Sequence, residues 1–191
     1  MRLKNKIALL AGVGIGMGRA TALLFAQEGA KVVINARRSD HLKETTDRIN
    51  SMGGDVLAVC ADVADQDQAN RTVAQALARH GRIDILYCGA GGNFKPTRDF
   101  SDVNPEFHEQ TIKNNVTTLH NLAQAAQPQM RAQGGGAIVS VAASFSVSQE
   151  GNPAYGAAKG GIIGLAKNLA RELYRDNIRV NVLLPGLFRG K

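Results

Sequence analysis

Lys6-Ile7-Ala8-Leu9-Leu10-Ala11-Gly12-Val13-Gly14-Ile15-Gly16-Met17-Gly18-Arg19, running on through Ala20-Thr21-Ala22-Leu23-Leu24-Phe25-Ala26-Gln27-Glu28-Gly29, is the stretch on which the fold turns. Lys6 to Ala11 reads as a short buried strand. The glycines after it permit a tight turn, and the segment beyond is a helix closed by Gly29. Lys31-Val32-Val33-Ile34-Asn35-Ala36 then supplies a second strand, so the four pieces form the first half of a βαβ unit. Such a turn brings backbone against a pyrophosphate, and the helix start behind it offers free N–H groups and a positive dipole end. Gly12, Gly16, Met17 and Gly18 are therefore candidate dinucleotide contacts.

After the second strand, sites for NAD commonly carry an acid that binds the ribose hydroxyls, whereas a nearby Arg accommodates the 2′-phosphate of NADP. Here Ala36 is followed by Arg37 and Arg38, with no acid before Asp40. NADP is the expected cofactor, with Arg37 as first choice for the phosphate and Arg38 as second.

The alternation continues downstream. Ser39 is placed to cap a helix from Asp40 to about Met52, closed by Gly53-Gly54. Asp55–Cys60 reads as the third strand, with Asp62 and Val63 just past its end. A helix from about Gln66 to Arg79 precedes a fourth strand at Ile83–Cys88, which runs into Gly89-Ala90-Gly91-Gly92. Ligands of open α/β sheets bind beyond the carboxyl ends of strands, which puts Asp62, Val63, Gly89 and Ala90 beside an adenosine half. Residues 93–103 read as loop, and Asn104-Pro105 as a helix start. The long helix that follows carries Asn114-Asn115 inside it, and Pro128 is expected to kink or end it. Gly135–Val141 and Asn177–Leu184 are the fifth and sixth strands. The fold class is α/β: a three-layer, doubly wound parallel sheet in one domain spanning residues 1–191.

Composition agrees with a globular chain. Of 191 residues 44% are hydrophobic and 20% charged, and no linker-like stretch divides them. The net charge of +7 comes from scattered Lys and Arg, which indicates a solvated basic surface with local attraction for a phosphorylated ligand and not a nucleic-acid partner. Cys60 and Cys88 each end an apolar run and are expected to be buried free thiols of a reducing compartment. The four histidines lack metal-ligand spacing, so no metal is expected. Met1–Lys6 and the apolar run after it mimic a signal peptide, but the glycines at 12, 14, 16 and 18 interrupt it; a cytoplasmic protein without a membrane span is expected.

Between the last two strands lie Ser144, Ser146 and Ser148, then Tyr155 and Lys159 at the start of a segment with helical apolar spacing (Ile162, Ile163, Leu165, Leu169, Leu173). Positions i and i+4 share a helix face, so the ammonium sits beside the phenol. A nearby positive charge favours the phenolate, which makes the pair a proton-transfer device in outline.

Taken together, these residues resemble the short-chain dehydrogenases/reductases over essentially the whole chain. The family's TGxxxGxG appears as Ala11 to Gly18 and its YxxxK as Tyr155 to Lys159; NNAG appears as Cys88 to Gly91. The helix asparagine matches Asn115, and the late RVN…PG matches Arg179-Val180-Asn181 with Pro185-Gly186. The resemblance implies hydride transfer between a nicotinamide and a carbonyl or alcohol carbon of a small-molecule substrate, with Tyr155 as proton donor or acceptor. It further implies that Lys159 binds the nicotinamide ribose and lowers the tyrosine's pKa, that Asn115 holds a relay water, and that Pro185 and Gly186 lie against the nicotinamide. A homodimer or homotetramer is expected.

Two departures stand out. Where the family's catalytic serine ends the fifth strand, this chain has Ala142-Ala143; Ser144, eleven residues before Tyr155, is the nearest hydroxyl, and Ser140 is a weaker candidate. Family members also continue past the PG motif with a substrate-covering segment, a last strand and a terminal helix, and carry a threonine near the place held here by Arg189-Gly190. A shortened chain is thus expected, either an NADP-dependent oxidoreductase or an NADP-binding protein without turnover, or an inactive fragment.

Overall fold

A computed structural model describes residues 1–95 and 99–187; Arg189 and Gly190 lie outside the described residues. Within them, strands and helices alternate: β1 (Ile7–Ala11), α1 (Met17–Gln27), β2 (Lys31–Ala36), α2 (Ser39–Ser51), β3 (Val56–Cys60), α3 (Gln66–His80) and β4 (Ile85–Cys88). Helices α4 (Pro105–Ile112) and α5 (Thr118–Ala132) lead to β5 (Gly136–Val141), and α6 (Phe145–Glu150) and α7 (Pro153–Leu173) lead to β6 (Ile178–Leu183). The strands form one parallel sheet in the order β3-β2-β1-β4-β5-β6.

Near-continuous apolar strands are what a sheet covered on both faces requires. One face packs Leu9, Val33, Leu86 and Ile138 against α3, α5 and α7 through Val73, Leu122 and Ile162. The other packs Leu10, Val32 and Ile34 against α1 and α2 through Ala22, Leu42 and Ile49. The chain steps from β3 at one edge back across to β4 beside β1, so the direction of winding reverses between β1 and β4. That reversal opens a crevice at the carboxyl ends of the central strands, where such sheets bind ligands. Among the described residues no helix is long and apolar enough to cross a membrane.

Several local expectations are revised. Helix α2 starts at Ser39, with Arg38 at the cap position and no side-chain cap. The fourth strand begins at Ile85 and not Ile83, because Asp84 is used as a clamp: its carboxylate accepts the Ile7 N–H at 2.9 Å and pairs with Arg82. Pro128 does not end α5; it lies on the exposed face, one turn after exposed Gln124, so the carbonyl it cannot serve faces water. Cys60 is exposed, since β3 is an edge strand, while Cys88 in the central β4 is buried; both are free thiols. The long helix does carry Asn114-Asn115 inside it, but not as a regular α-helix: Lys113–Thr117 form a π-helical turn between α4 and α5. Helix α6, capped by Ser144, occupies part of a stretch that showed no helical pattern.

Candidate active site

The glycine turn leaves β1 with Gly12 at a φ of +82°, and a side chain there would strike the backbone of Gly89 and Ala90 from the neighbouring β4 turn. Gly18 is needed for the opposite reason, because a Cβ would strike the Gly12 carbonyl where α1 tucks behind the turn. Gly16 by contrast faces open space, and as the α1 cap it provides no side-chain partner. The free N–H groups of the first helical turn therefore point at an accessible surface.

Beside this turn, Gly12, Asn35, Arg37, Arg38, His41, Asp62, Val63, Gly89, Ala90 and Asn114 line a cavity of about 250 Å³. Its floor is fixed by side-chain amides. Asn35 donates from Nδ2 to the Val59 and Ala61 carbonyls, and its backbone carbonyl accepts from Gly12 and Val13 N–H. Asn121 Nδ2 donates to the Val63 carbonyl at 3.2 Å. The two arginines differ. Arg38 is held by Asp40 through contacts of 3.1 and 2.6 Å, and that hydrogen-bonded pair pulls the Asp40 carboxyl down to about 2. Among the described residues the Arg37 guanidinium has only a long 3.5 Å contact, to Asn114 Oδ1 across the cavity.

The catalytic candidates meet on the other side of Gly91. A methyl placed there would lie 2.8 Å from Asn115 Oδ1 and 3.3 Å from Lys159 Nζ, so both side chains converge on the space this glycine leaves free. The π-helical turn sets Asn115: its Nδ2 donates to the Thr111 and Gly92 carbonyls, while Oδ1 is buried without a partner. Single π turns of this kind are frequent at functional sites. Lys159 Nζ donates to the Val141 carbonyl at 3.2 Å and stands 5.3 Å from the centroid of the Tyr155 ring. Burial pushes the Lys159 pKa down to about 8 and raises that of Tyr155. Desolvation is what moves the phenol in this arrangement, in which the ammonium lies over the ring, and the direction is opposite to the expected lowering.

Asn152 is a site-building residue that lies outside the sequence motifs. Its Oδ1 caps α7 by accepting the Tyr155 N–H at 2.9 Å, and its Nδ2 donates to the Asn93 carbonyl at 2.8 Å. The signal was present, because Asn152-Pro153 repeats the cap-and-proline pattern of Asn104-Pro105. Gly91 was seen as motif and not as the gap between two side chains.

At the strand β5 end, Ala143 and Val147 are buried against Tyr155. Ser144 accepts the Val147 N–H at 3.4 Å as the α6 cap and lies 3.2 Å from Ser146 Oγ. Ser140 is on the face shared by Ile138 and Ala142, buried, its hydroxyl without a partner. Pro185 accepts the Ser144 N–H through its carbonyl and, with Met17, Tyr87 and Val141, lines an apolar cavity of about 380 Å³; Gly186 is exposed beside it.

A glycine turn open at Gly16, an adenosine-sized cleft at a switch point and a lysine–tyrosine pair beyond it fit a bound dinucleotide and define a Rossmann-type, nucleotide-binding oxidoreductase. Residues 6–191 match the model of the short chain dehydrogenase family, and the chain belongs to it. Members of that family transfer hydride between NAD(P) and a CH–OH or C=O carbon. The chain is 37% identical over 191 residues to the 3-oxoacyl-[acyl-carrier-protein] reductase FabG of Thermotoga maritima, covering 97% of this chain and 75% of that protein. Among solved structures, NAD+-bound xylitol dehydrogenase superposes with a TM-score of 0.94 at 29% identity, covering all of this chain and 74% of the other. A 7α-hydroxysteroid dehydrogenase complexed with NADH and 7-oxo glycochenodeoxycholic acid gives 0.89 at 30%, over 97% and 72%.

Proposed function

We propose that the chain is an NADP(H)-dependent oxidoreductase in which Tyr155 exchanges the proton with a carbonyl or alcohol oxygen. The observation that carries this is the convergence of Asn115 Oδ1 and Lys159 Nζ on the gap left by Gly91, with the Tyr155 ring 5.3 Å from the ammonium. Bound in the cleft, the cofactor supplies or accepts the hydride at the substrate carbon. Desolvation holds the Tyr155 phenol protonated at neutral pH, which is the form that gives a proton to a carbonyl oxygen in the reducing direction. Lys159, ammonium at pH 7, stabilises the phenolate left behind and binds the ribose. Asn115 Oδ1, buried and unpaired, is the acceptor available for a water that returns the proton.

Arg37 supports NADP over NAD: its guanidinium faces the adenosine cavity with one weak contact, whereas Arg38 is already engaged by Asp40. A second reading, a cofactor-binding protein without turnover, is favoured by one observation, Ala143 packed on Tyr155 at the strand end where the resemblance to the family leads one to expect a serine. Purified protein given NADPH and a panel of carbonyl compounds separates the two. The enzyme reading predicts NADPH oxidation that Tyr155→Phe abolishes with NADPH affinity kept. Equal inertness of both proteins with cofactor still bound overturns it. Arg37→Ala should weaken NADPH about tenfold with NADH little changed; an equal effect on both would remove the NADP assignment.

A further inference from the structure

The side of Tyr155 away from Lys159 is walled by apolar surface, and the wall is built. Asn93, at a φ of +65°, is pinned at both ends: its Nδ2 donates to Thr111 Oγ1 at 2.8 Å and its carbonyl accepts from Asn152 Nδ2. That turn sets Phe94 edge-on to the Tyr155 ring, with centroids 5.2 Å apart and planes at 72°. A methyl on Gly151 would lie 2.8 Å from Tyr155 Cδ1 and 3.4 Å from Phe94 Cδ2, so the backbone closes one side of the aromatic pair. Ala143 and Val147 close another. The side-chain polar groups nearest this wall are turned to partners within the protein: Asn93 Nδ2 to Thr111, Asn152 to the Asn93 carbonyl and the Tyr155 N–H, and Ser144 to the α6 cap. The Lys95 ammonium is drawn over the Phe107 ring, 5.6 Å from its centroid. Phe94 nonetheless remains 37% exposed, so its ring is available to a ligand that reaches the phenol.

We infer that Phe94 is a specificity-determining residue, and that the substrate presents an apolar alicyclic or aromatic carbonyl, not a polyhydroxylated one, to Tyr155. This rests on the proposed role of Tyr155 as proton donor. A polyol flank placed against Phe94, Ala143 and Val147 would lose its water without gaining partners, whereas a ring ketone loses only hydration of apolar surface. The hydroxyl of Tyr155 is then the group that holds the carbonyl oxygen, and the apolar wall holds the ring.

Two ketones serve as probes with NADPH: 1-decalone, bicyclic and apolar, and 1,3-dihydroxyacetone. The wild type should favour 1-decalone in kcat/KM by about a hundredfold. Phe94→Ala should cut that ratio by about tenfold, chiefly through KM, and Phe94→Leu should retain most of it, the range expected for loss of part of a hydrophobic pocket. A ratio unchanged in Phe94→Ala, or a wild-type preference for dihydroxyacetone, overturns the inference. If neither ketone turns over above the Tyr155→Phe background, the catalytic reading fails, and the wall is still decided by saturation-transfer NMR on NADPH-loaded protein. A 1-decalone signal lost in Phe94→Ala supports it. Signals equal in both proteins, absent for 1-decalone, or given by dihydroxyacetone alone overturn it.

Discussion

On the β2 side of the crevice, Asn35 and Asn121 spend their side-chain amides on backbone carbonyls, and Asp62 accepts the Ala64 N–H at 3.1 Å. On the β5 side, Asn115 Oδ1 and Ser140 Oγ are buried with no partner among the described residues, Lys159 carries a charge that burial disfavours, and Ala143 packs against Tyr155. The first region is a finished cradle whose floor exists before a ligand arrives. The second stores unmet polar demand, which a bound ribose, water or carbonyl would relieve. The two regions meet at Gly91, which lines the cavity on one side and faces Asn115 and Lys159 on the other, so a change on the β2 side should act on cofactor affinity alone, whereas one at Lys159 should act on both binding and turnover.

The contrast is sharpest in a pH experiment. The Lys159 pKa is about 8 in the folded chain against 10.5 unfolded, so the unfolded state binds the extra proton between those values. The cost of the buried ammonium is complete below pH 8 and vanishes as pH rises to 10.5, amounting to about 3 kcal/mol. Cys88, raised to about 12, and Tyr155, also raised, act with the opposite sign above their ordinary values. The clean readout is thus the difference in unfolding free energy between wild type and Lys159→Met, which should move in favour of wild type by about 3 kcal/mol across that window. A difference independent of pH would mean that the ammonium is not desolvated.

Gly91→Ala tests the convergence itself. The added methyl must displace Asn115 Oδ1 or Lys159 Nζ, and a shift of that kind should lower kcat by about a hundredfold and weaken NADPH through the lost lysine contact, while circular dichroism stays near wild type. An active Gly91→Ala enzyme would break the proposed geometry. Smaller still, Asn152→Ala removes the α7 cap and the tie to Asn93, and should cost about 2 kcal/mol in denaturant unfolding. A loss under half a kcal/mol would show that Tyr155 is positioned by packing alone.

The sheet could be read from local sequence because its signals are local: an apolar run, glycines, a helix and another apolar run recur with short connections between them. The parts that escaped depend on distant contacts. The π-helical turn at Lys113–Thr117 places Asn115 on Gly92 and Thr111, and no residue in that turn announces it beyond two asparagines in a helix. Cys60 looked buried because its strand is apolar, yet edge position is a property of the sheet order. Ser144 could be named as the hydroxyl nearest to Ala142-Ala143, but its use as the cap of α6 follows from a short helix with no periodic pattern. Tyr155, Lys159 and Asn115 were legible as types at a spacing, whereas Phe94, Gly91 and Asn152 acquire meaning only from what they touch.

If a complete cofactor cradle is joined to a catalytic side with one hydroxyl on the substrate oxygen, Ala143→Ser is the decisive variant. Steady-state NADPH oxidation and calorimetric NADPH binding should be measured on the same preparations of variant and wild type. A serine there adds a hydroxyl beside the phenol, so kcat should rise about tenfold while the Kd for NADPH stays within twofold. An unchanged or reduced kcat with the same Kd would contradict the account, because it would mean that the missing hydroxyl is not what distinguishes the two sides of the crevice.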